Sequence, residues 1–298
     1  MSQPPIVPPL KCQGIKTRLV KELARLVELC AYERWVEPFC GSCVVALNIR
    51  PKRALLCDTN VHIIRLFQDI QSGQLNAALV REFLTNEGRH LAQQGEPYFY
   101  VVRKRFNLAP TSLDFLFLNR SCFNGVMRFN RSGGFNVPYC HKSERFAPAY
   151  VTKITNQVNA VSDVVRMNDW TFRVADFRQT LNELTESDLI YADPPYAGRH
   201  TDYFNSWSVE DDGNLTTLLQ SAPCRFVYST WHSNEFRTNE IIPSRWMGRG
   251  YQVHTKSHFY HVGPTEELRH PMIEAFITNY PTEPNAAPSE AMGQMALL

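Results

Sequence analysis

An apolar run that stops on a carboxylate and two prolines limits the fold more than any other part of the chain. Residues 188–192 read Asp-Leu-Ile-Tyr-Ala, which is typical of a buried strand, and Asp193, Pro194 and Pro195 follow directly. Each proline fixes its φ angle and lacks a backbone N–H, so the strand ends there and its last carbonyls face outward. Asp193 and the Pro194 carbonyl could accept hydrogen bonds from one exocyclic amino group, while the Tyr196 ring stacks on the same base. A plain strand with a proline-rich turn would also explain the run on its own.

Length and composition favour a large core and two lobes. The 298 residues are 44% hydrophobic and 20% charged, with a formal net charge of +2, which fits an α/β domain plus a smaller one. No apolar run is long enough to span a membrane, and the N-terminus lacks the pattern of a signal peptide. The eight cysteines show no disulfide spacing, and Cys40-x-x-Cys43 lacks the second pair that a zinc site needs. We therefore expect a cytoplasmic protein with reduced thiols and no bound metal.

A strand, a turn of small residues and a helix begin the α/β pattern. Residues 35–39 form the predicted strand, Cys40-Gly41-Ser42-Cys43 form the turn, and a helix is expected from Val44. The next predicted strand, at 54–57, ends on Asp58. An acid about 20 residues on from such a turn can bind both ribose hydroxyls of an adenosine. The pattern therefore predicts a nucleotide-binding βαβ unit.

A third strand end carries groups suited to the same ligand. The strand predicted at 171–174 is followed by Asp176 and Phe177. Ligands of open α/β sheets bind beyond the carboxyl ends of the strands, so these two residues could meet Phe39 and Asp58 around one adenosine-containing cofactor. Since every strand ends near some polar residue, the pattern indicates a cofactor site only together with the proline-rich strand end.

The middle of the chain has a different character. It reads as helices at 76–106 and then as a loop-rich segment, after which the α/β pattern returns and a β-hairpin at 251–260 and 272–280 closes the sheet. The predicted division is a catalytic domain at 1–74 and 161–280, a target-recognition domain at 75–160 and a mobile tail at 281–298.

Basic residues cluster in the loop-rich segment. Between Leu118 and Ala147 the one acid is Glu144. Phosphate contacts supply the sequence-independent part of DNA affinity, so the cluster indicates a nucleic-acid surface, although an ordinary solvated face explains the charges alone equally well. The basic residues are Arg120, Arg128, Arg131, His141, Lys142 and Arg145.

Short strings follow one another in a specific order along the chain. They are Glu37-Pro38-Phe39-x-Gly41, Leu118-Asn119-Arg120, Phe123-Asn124-Gly125, Arg128-Phe129-Asn130, Gly134-Phe135-Asn136-Val137-Pro138 and Asp193-Pro194-Pro195-Tyr196. This order resembles that of the Dam-type, or D12 class, DNA adenine-N6 methyltransferases. Within that class the chain resembles the EcoRV-type modification methylases most, through residues 9–17, 57–60, 114–125, 198–207 and 258–263.

The resemblance implies a Rossmann-like sheet that uses S-adenosylmethionine and releases S-adenosylhomocysteine, with a mostly helical DNA-recognition domain inserted into it. It assigns the ribose hydroxyls to Asp58 and the cofactor adenine to Asp176 and Phe177. Two positions depart from the family, which more often has Trp at Cys12 and Gly at Cys43, where a Cβ would stand close to the cofactor. The implied cofactor contacts are Cys12, Lys16, Phe39, Gly41, Asp58, Asp176, Phe177 and Asp193.

Double-stranded DNA is the implied substrate, and its target adenine must be flipped out of the stack to reach a methyl donor. The predicted catalytic residues are Asp193 and Pro194, which would bind the amino group, and Tyr196, which would stack on the base. Arg128 is the predicted reader of a guanine, and Phe123 would fill the gap in the duplex. The implied DNA contacts are Lys11, Arg120, Phe123, Asn124, Arg128, Asn136 and Pro138.

The expected target is the first adenine of GATATC, with Dam-like methylation of GATC as the alternative. A catalytically weak DNA-binding regulator stays open because of Cys43, and enzymes that methylate cytosine N4 or RNA bases also carry the Asp-Pro-Pro-Tyr string. We expect a monomer without a membrane partner. A restriction endonuclease could act on the same site without forming a stable complex with it.

Overall fold

A mixed, twisted sheet forms the centre of the molecule. The computed structural model describes residues 4–12, 14–28, 30–195, 207–233, 238–259 and 271–282, and within these ranges the strands form one seven-stranded sheet of order β3-β2-β1-β4-β5-β7-β6. Neighbouring strands are parallel as far as β5, whereas β7 runs antiparallel to both β5 and β6. The strands are β1 Arg34–Glu37, β2 Arg53–Asp58, β3 Asp169–Val174, β4 Asp188–Ala192, β5 Arg225–Ser233, β6 Gln252–Phe259 and β7 Pro271–Thr278. The predicted α/β fold is confirmed.

The strand order reverses beside β1, and such a reversal is where ligand crevices open in α/β sheets. β1 pairs with β2 on one side and with β4 on the other, all in parallel. The chains that leave β1 and β4 turn to opposite faces at such a point and open a crevice beyond the strand ends. Trp35 and Val36 are fully buried in β1, so the crevice stands on a rigid core.

Helices cover the sheet, and local sequence signals set several of their ends. The Asn60 side chain accepts hydrogen bonds from the His62 and Ile63 amides at the start of α3, and Gly73 ends that helix in a left-handed conformation. The helices are α1 Val20–Glu28, α2 Val44–Ile49, α3 Val61–Ser72, α4 Ala77–Gln94, α5 Glu96–Leu108, α6 Ser112–Ser121, α7 Pro148–Met167, α8 Phe177–Leu181 and α9 Val209–Gln220.

The helical segment between α3 and β3 shares its core with the sheet. Leu84 of α4 and Phe99 of α5 belong to the same buried cluster as Trp35 and Leu56 of the sheet. The proposed boundary at residue 160 falls inside α7, which continues to Met167 before β3 begins. The segment therefore packs on the sheet, and α7 connects it to β3.

In the part of the chain that the structure describes, no helix combines the length and the apolar character needed to cross a membrane. Residues 283–298 of the expected tail lie outside the described residues.

Candidate active site and DNA-binding surface

The turn after β1 holds the carboxylate of Asp58 beside open space. The Gly41 amide donates a hydrogen bond to Asp58 Oδ2 at 2.9 Å, and the Asn60 amide donates to Oδ1 at 2.8 Å. Burial raises the pKa of Asp58, and these backbone bonds work against that rise. Gly41 has φ +47°, and among the described residues no atom lies within 4 Å of where its Cβ would stand. The turn therefore presents bare backbone and an oriented carboxylate to a ligand.

Three aromatic rings pack together next to this turn. The centroids of Phe39 and Phe177 are 5.4 Å apart, and Trp207 lies 5.4 Å from Phe39 and 5.3 Å from Phe177. The Trp207 indole donates a hydrogen bond to Asp212 Oδ1 at 2.6 Å, which ties it to α9. Phe39 and Phe177 were predicted from the sequence, whereas Trp207 was missed as a site residue.

Asp176 is engaged by its own helix. Its carboxylate caps α8 by accepting a hydrogen bond from the Arg178 amide at 2.9 Å, and the Arg178 guanidinium lies 3.2 Å away. Arg178 also pairs with Asp211 at the start of α9 and stacks over Phe177, with 4.4 Å to the ring centroid. Asp176 therefore lies just beyond β3, and its carboxylate already serves as a helix cap.

Asp193 forms an ion pair with the buried Lys16 directly beyond β4. Lys16 Nζ lies 2.9 Å from Asp193 Oδ1 and donates a hydrogen bond to the Gly14 carbonyl at 3.3 Å. Burial raises the pKa of Asp193 to about 6, although Lys16 favours its charged form. Pro194 is buried behind it, and Tyr196 lies outside the described residues. Two of the predicted residues, Lys16 and Asp193, are thus joined directly.

Two cysteines, at positions where the resemblance implies other residues, lie beside the turn. Cys43 is fully buried at φ 56°, where it begins α2, and its thiol lies against that of Cys40. Cys12 lies beside Ser42, Asp58 and Cys43, and burial raises the pKa of its thiol. Since the Cys43 side chain packs into the core and the contact between Gly41 and Asp58 is intact, the extra Cβ leaves the open side of the turn clear. No group of three or more metal-binding side chains occurs in the described ranges.

The loop after α6 exposes a small aromatic and polar tip. Phe123 is 47% exposed, and Asn124 beside it adopts φ 53°. The Phe123 amide donates to the Pro138 carbonyl at 2.9 Å, so the two halves of the loop are joined at its tip. An exposed ring on a braced backbone can act as a wedge between base pairs.

Arg128 and Asn136 are coupled on the same loop. The Arg128 Nε donates to Asn136 Oδ1 at 2.9 Å, and the Asn136 amide donates to the Arg128 carbonyl at 3.1 Å. The half-buried guanidinium is thereby oriented, which suits a side chain that must meet one base pair in a fixed geometry.

A second basic group lies where the N-terminal segment is joined to the last turn of α6. The Lys11 backbone exchanges two hydrogen bonds with the Asn119 side chain, and Arg120 Nη1 donates to the Pro9 carbonyl at 3.1 Å. Burial and the charges of Arg145 and Arg120 lower the pKa of Lys11 to about 8. Arg145 was seen in the sequence as part of a basic cluster, and its proximity to Lys11 comes only from the structure.

Comparisons with known proteins identify the family. The D12 class of N6 adenine-specific DNA methyltransferases matches residues 13–262. The chain belongs to this family. It is 33% identical over 219 residues to the retron Ec67 DNA adenine methylase of Escherichia coli, covering 71% of each chain. It is 28% identical over 258 residues to a DNA adenine methylase of Vibrio cholerae, covering 82% of this chain and 85% of that one.

A third relative is longer than this chain. The modification methylase StsI of Streptococcus sanguinis is 26% identical over 286 residues, which cover 92% of this chain and 43% of StsI. The chain thus spans less than half of that relative. Because it belongs to this family, the chain is an adenine-specific DNA methyltransferase, and its substrate is DNA. Its sheet is the Rossmann-like sheet of a methyltransferase. A purely regulatory DNA-binding protein and a cytosine or RNA methylase are therefore set aside.

The candidate site contains one further buried charge, which was not predicted from the sequence. Glu274 of β7 is fully buried, and its Oε2 lies 3.9 Å from Lys16 Nζ. The available signal was a charged residue inside the apolar strand Pro271–Thr278, because an acid in such a strand is almost always paired when it is buried.

Proposed function

We propose that the crevice beyond β1, β2 and β4 binds S-adenosylmethionine. The observation that carries this proposal is the Asp58 carboxylate, held by two backbone amides beside the open Gly41 turn. A carboxylate so fixed suits two vicinal ribose hydroxyls, and the rings of Phe39 and Phe177 suit an adenine. Cys12, Lys16 and Asp176 complete the proposed contacts. When bound, this cofactor supplies a sulfonium methyl group.

We propose that Asp193 and the Pro194 carbonyl hold the amino group of an adenine flipped out of the duplex. The adenine nitrogen is a poor nucleophile because its lone pair is delocalised into the ring. Two acceptors favour the pyramidal nitrogen and stabilise the positive charge that develops on it. Asp193 and the Pro194 carbonyl would hold N6 while it takes up the methyl group that the bound cofactor would supply, and one N6 proton would then pass to solvent. The products are N6-methyladenine, S-adenosylhomocysteine and that proton.

The segment at 75–160 is the proposed DNA-recognition domain within this reaction. Phe123, exposed at its loop tip, would enter the gap left by the flipped base, and Arg128 would contact a guanine. Asn124, Asn136 and Pro138 belong to the same loop. Lys11 and Arg120 would add contacts from the edge of the basic surface.

We propose the first adenine of GATATC as the target, on the likeness to EcoRV-type methylases outside the shared motifs, with GATC as the second candidate. We further propose that the enzyme acts as a monomer. A restriction endonuclease that cuts the same site would be blocked by the methyl group and would need no stable complex.

Single-molecule sequencing of DNA from cells that express the protein tests activity, base and site together. The host must lack adenine methylases of its own. We expect N6-methyladenine in GATATC, and none in cells that express Asp193→Ala, which retains much of the DNA affinity. Methylation of GATC outside GATATC would assign the second candidate, and methylation by the Asp193→Ala variant would refute the role of Asp193.

A further inference from the structure

Glu274 lies within reach of the methylation site although no sequence motif includes it. It stands on β7 opposite Trp231 of β5 and Lys256 of β6. Lys256 pairs with Glu22 of α1 at 3.3 Å, whereas Glu274 faces the ammonium of Lys16 at 3.9 Å. The antiparallel strand therefore contributes a charge to a site that is otherwise built from the parallel strands and the N-terminal segment.

Lys16 stands between two carboxylates. Its ammonium lies 2.9 Å from Asp193 and 3.9 Å from Glu274, and both Lys16 and Glu274 are buried. Charges removed from water interact strongly because little solvent screens them. One ammonium between two carboxylates leaves the group of three with an excess negative charge when both acids are ionised.

We propose that Glu274 is a positioning residue for methyl transfer, acting through Lys16 on the charge and orientation of Asp193. This proposal rests on the proposed role of Asp193. During the reaction a positive charge moves from the donor sulfur to the adenine nitrogen. With Lys16 alone as its neighbour, Asp193 would form a neutral pair with little attraction for that charge. Glu274 shares the ammonium and leaves Asp193 a stronger acceptor.

The other groups that face Asp193 bear on how it titrates. They come from β1, β4, β5, β7 and the N-terminal segment, and the like charge of Glu274 and the ammonium of Lys16 act on Asp193 in opposite directions. Glu37 is the only further acid among the described groups that face it. The groups are Glu37, Tyr191, Tyr228, Ser229, Lys16 and Glu274.

Two variants of opposite charge effect test the proposal. Single-turnover methylation of a duplex oligonucleotide is followed from about pH 5 to about pH 9, where the acid limb reports the ionisation of the essential carboxylate. We expect Glu274→Gln to lower the maximal rate by about 10- to 100-fold and to move the acid limb to lower pH, because Asp193 loses a like-charged neighbour. Lys16→Met should move the limb to higher pH. General loosening of the site cannot produce shifts of opposite sign.

A matched control separates this role from plain stability. Thr278→Val removes another buried polar side chain from β7 on the same face, and its hydroxyl bonds the Tyr280 carbonyl. It should keep the pH profile of the wild type. If Glu274→Gln does not fold, Glu274→Asp withdraws the carboxylate by one methylene and should move the limb in the same direction by less.

Specific outcomes overturn the inference. A wild-type rate and acid limb in Glu274→Gln, or an unmoved limb in Glu274→Asp, would reduce Glu274 to a counterion that allows Lys16 to be buried. In that case Asp193→Ala is still inactive. Activity in Asp193→Ala would instead remove the proposed function of Asp193, so the two failures are distinguishable.

Discussion

Cys43 occupies a backbone conformation that glycine adopts more easily than any other residue. Its φ of 56° and ψ of 17° lie in the left-handed region, which costs a residue with a Cβ about 1–2 kcal/mol. The side chain offsets part of this cost because it is fully buried against Cys40. The substitution of glycine by cysteine is therefore expected to act on stability rather than on the cofactor.

Two variants separate strain from packing at this residue. Cys43→Ala removes the sulfur and keeps the strained backbone, whereas Cys43→Gly removes both. In urea unfolding we expect the free energy of unfolding of the Gly variant to be about 0.5–1 kcal/mol higher than that of the Ala variant. In a helix interior the order is the reverse, because alanine is there the more stabilising of the two residues. Calorimetry should give S-adenosylmethionine affinities within about 0.7 kcal/mol of the wild type for both. An Ala variant as stable as the Gly variant would show that the conformation is unstrained.

Elements with strong local signals were predictable from the sequence, and their long-range neighbours were not. The turn at Cys40–Cys43 follows from small residues between a strand and an apolar helix, and the two strands of the last hairpin follow from their composition. The position of β7 between β5 and β6 depends on which strands pair with one another in the folded chain. The alternation of hydrophobic and polar residues along one strand does not identify its neighbours. For the same reason Lys16 and Asp193 were predicted separately, and Glu274 and Trp207 were missed.

The loop that follows α6 gives a prediction at the scale of an element. Arg128 is oriented by Asn136, whereas Arg131 on the same loop is exposed. Arg128→Ala should relax discrimination at one base pair by about 1–3 kcal/mol, since a bidentate contact to guanine is lost. Arg131→Ala should weaken binding about equally for all sequences and reduce its salt dependence. Measurements of kcat/KM on duplexes with single base changes distinguish base readout from contact with the DNA backbone. If Arg128→Ala lowered kcat/KM equally on all duplexes, Arg128 would be assigned to the DNA backbone.

The stability of the whole molecule depends on carboxyl groups buried at its central strands. Arg34 makes two hydrogen bonds to Asp188, at 2.8 and 2.7 Å, where β1 and β4 begin. Burial raises the pKa of Asp188, but the bonds from Arg34 and Thr185 prevail and hold it below its usual value. Asp188 thus stabilises the fold above its unfolded pKa and loses that contribution as the pH falls through the folded one.

Glu37, at the other end of β1, has the opposite effect on the pH dependence of unfolding. Burial raises its pKa from 4.5 to about 8, even though the Trp35 indole donates to its Oε1 at 2.8 Å. A carboxyl whose pKa is higher in the folded state stabilises the fold below the unfolded pKa, near 4.5, and loses this contribution as the pH rises through about 8. Glu37→Gln, which cannot ionise, should melt close to the wild type near pH 5 and above it near pH 9. Melting temperatures measured across this pH range check the result. Glu186 is exposed, so Glu186→Gln is the control, and it should lose stability at alkaline pH as the wild type does. A constant difference between Glu37→Gln and the wild type at all pH values would mean that Glu37 does not change its ionisation on folding.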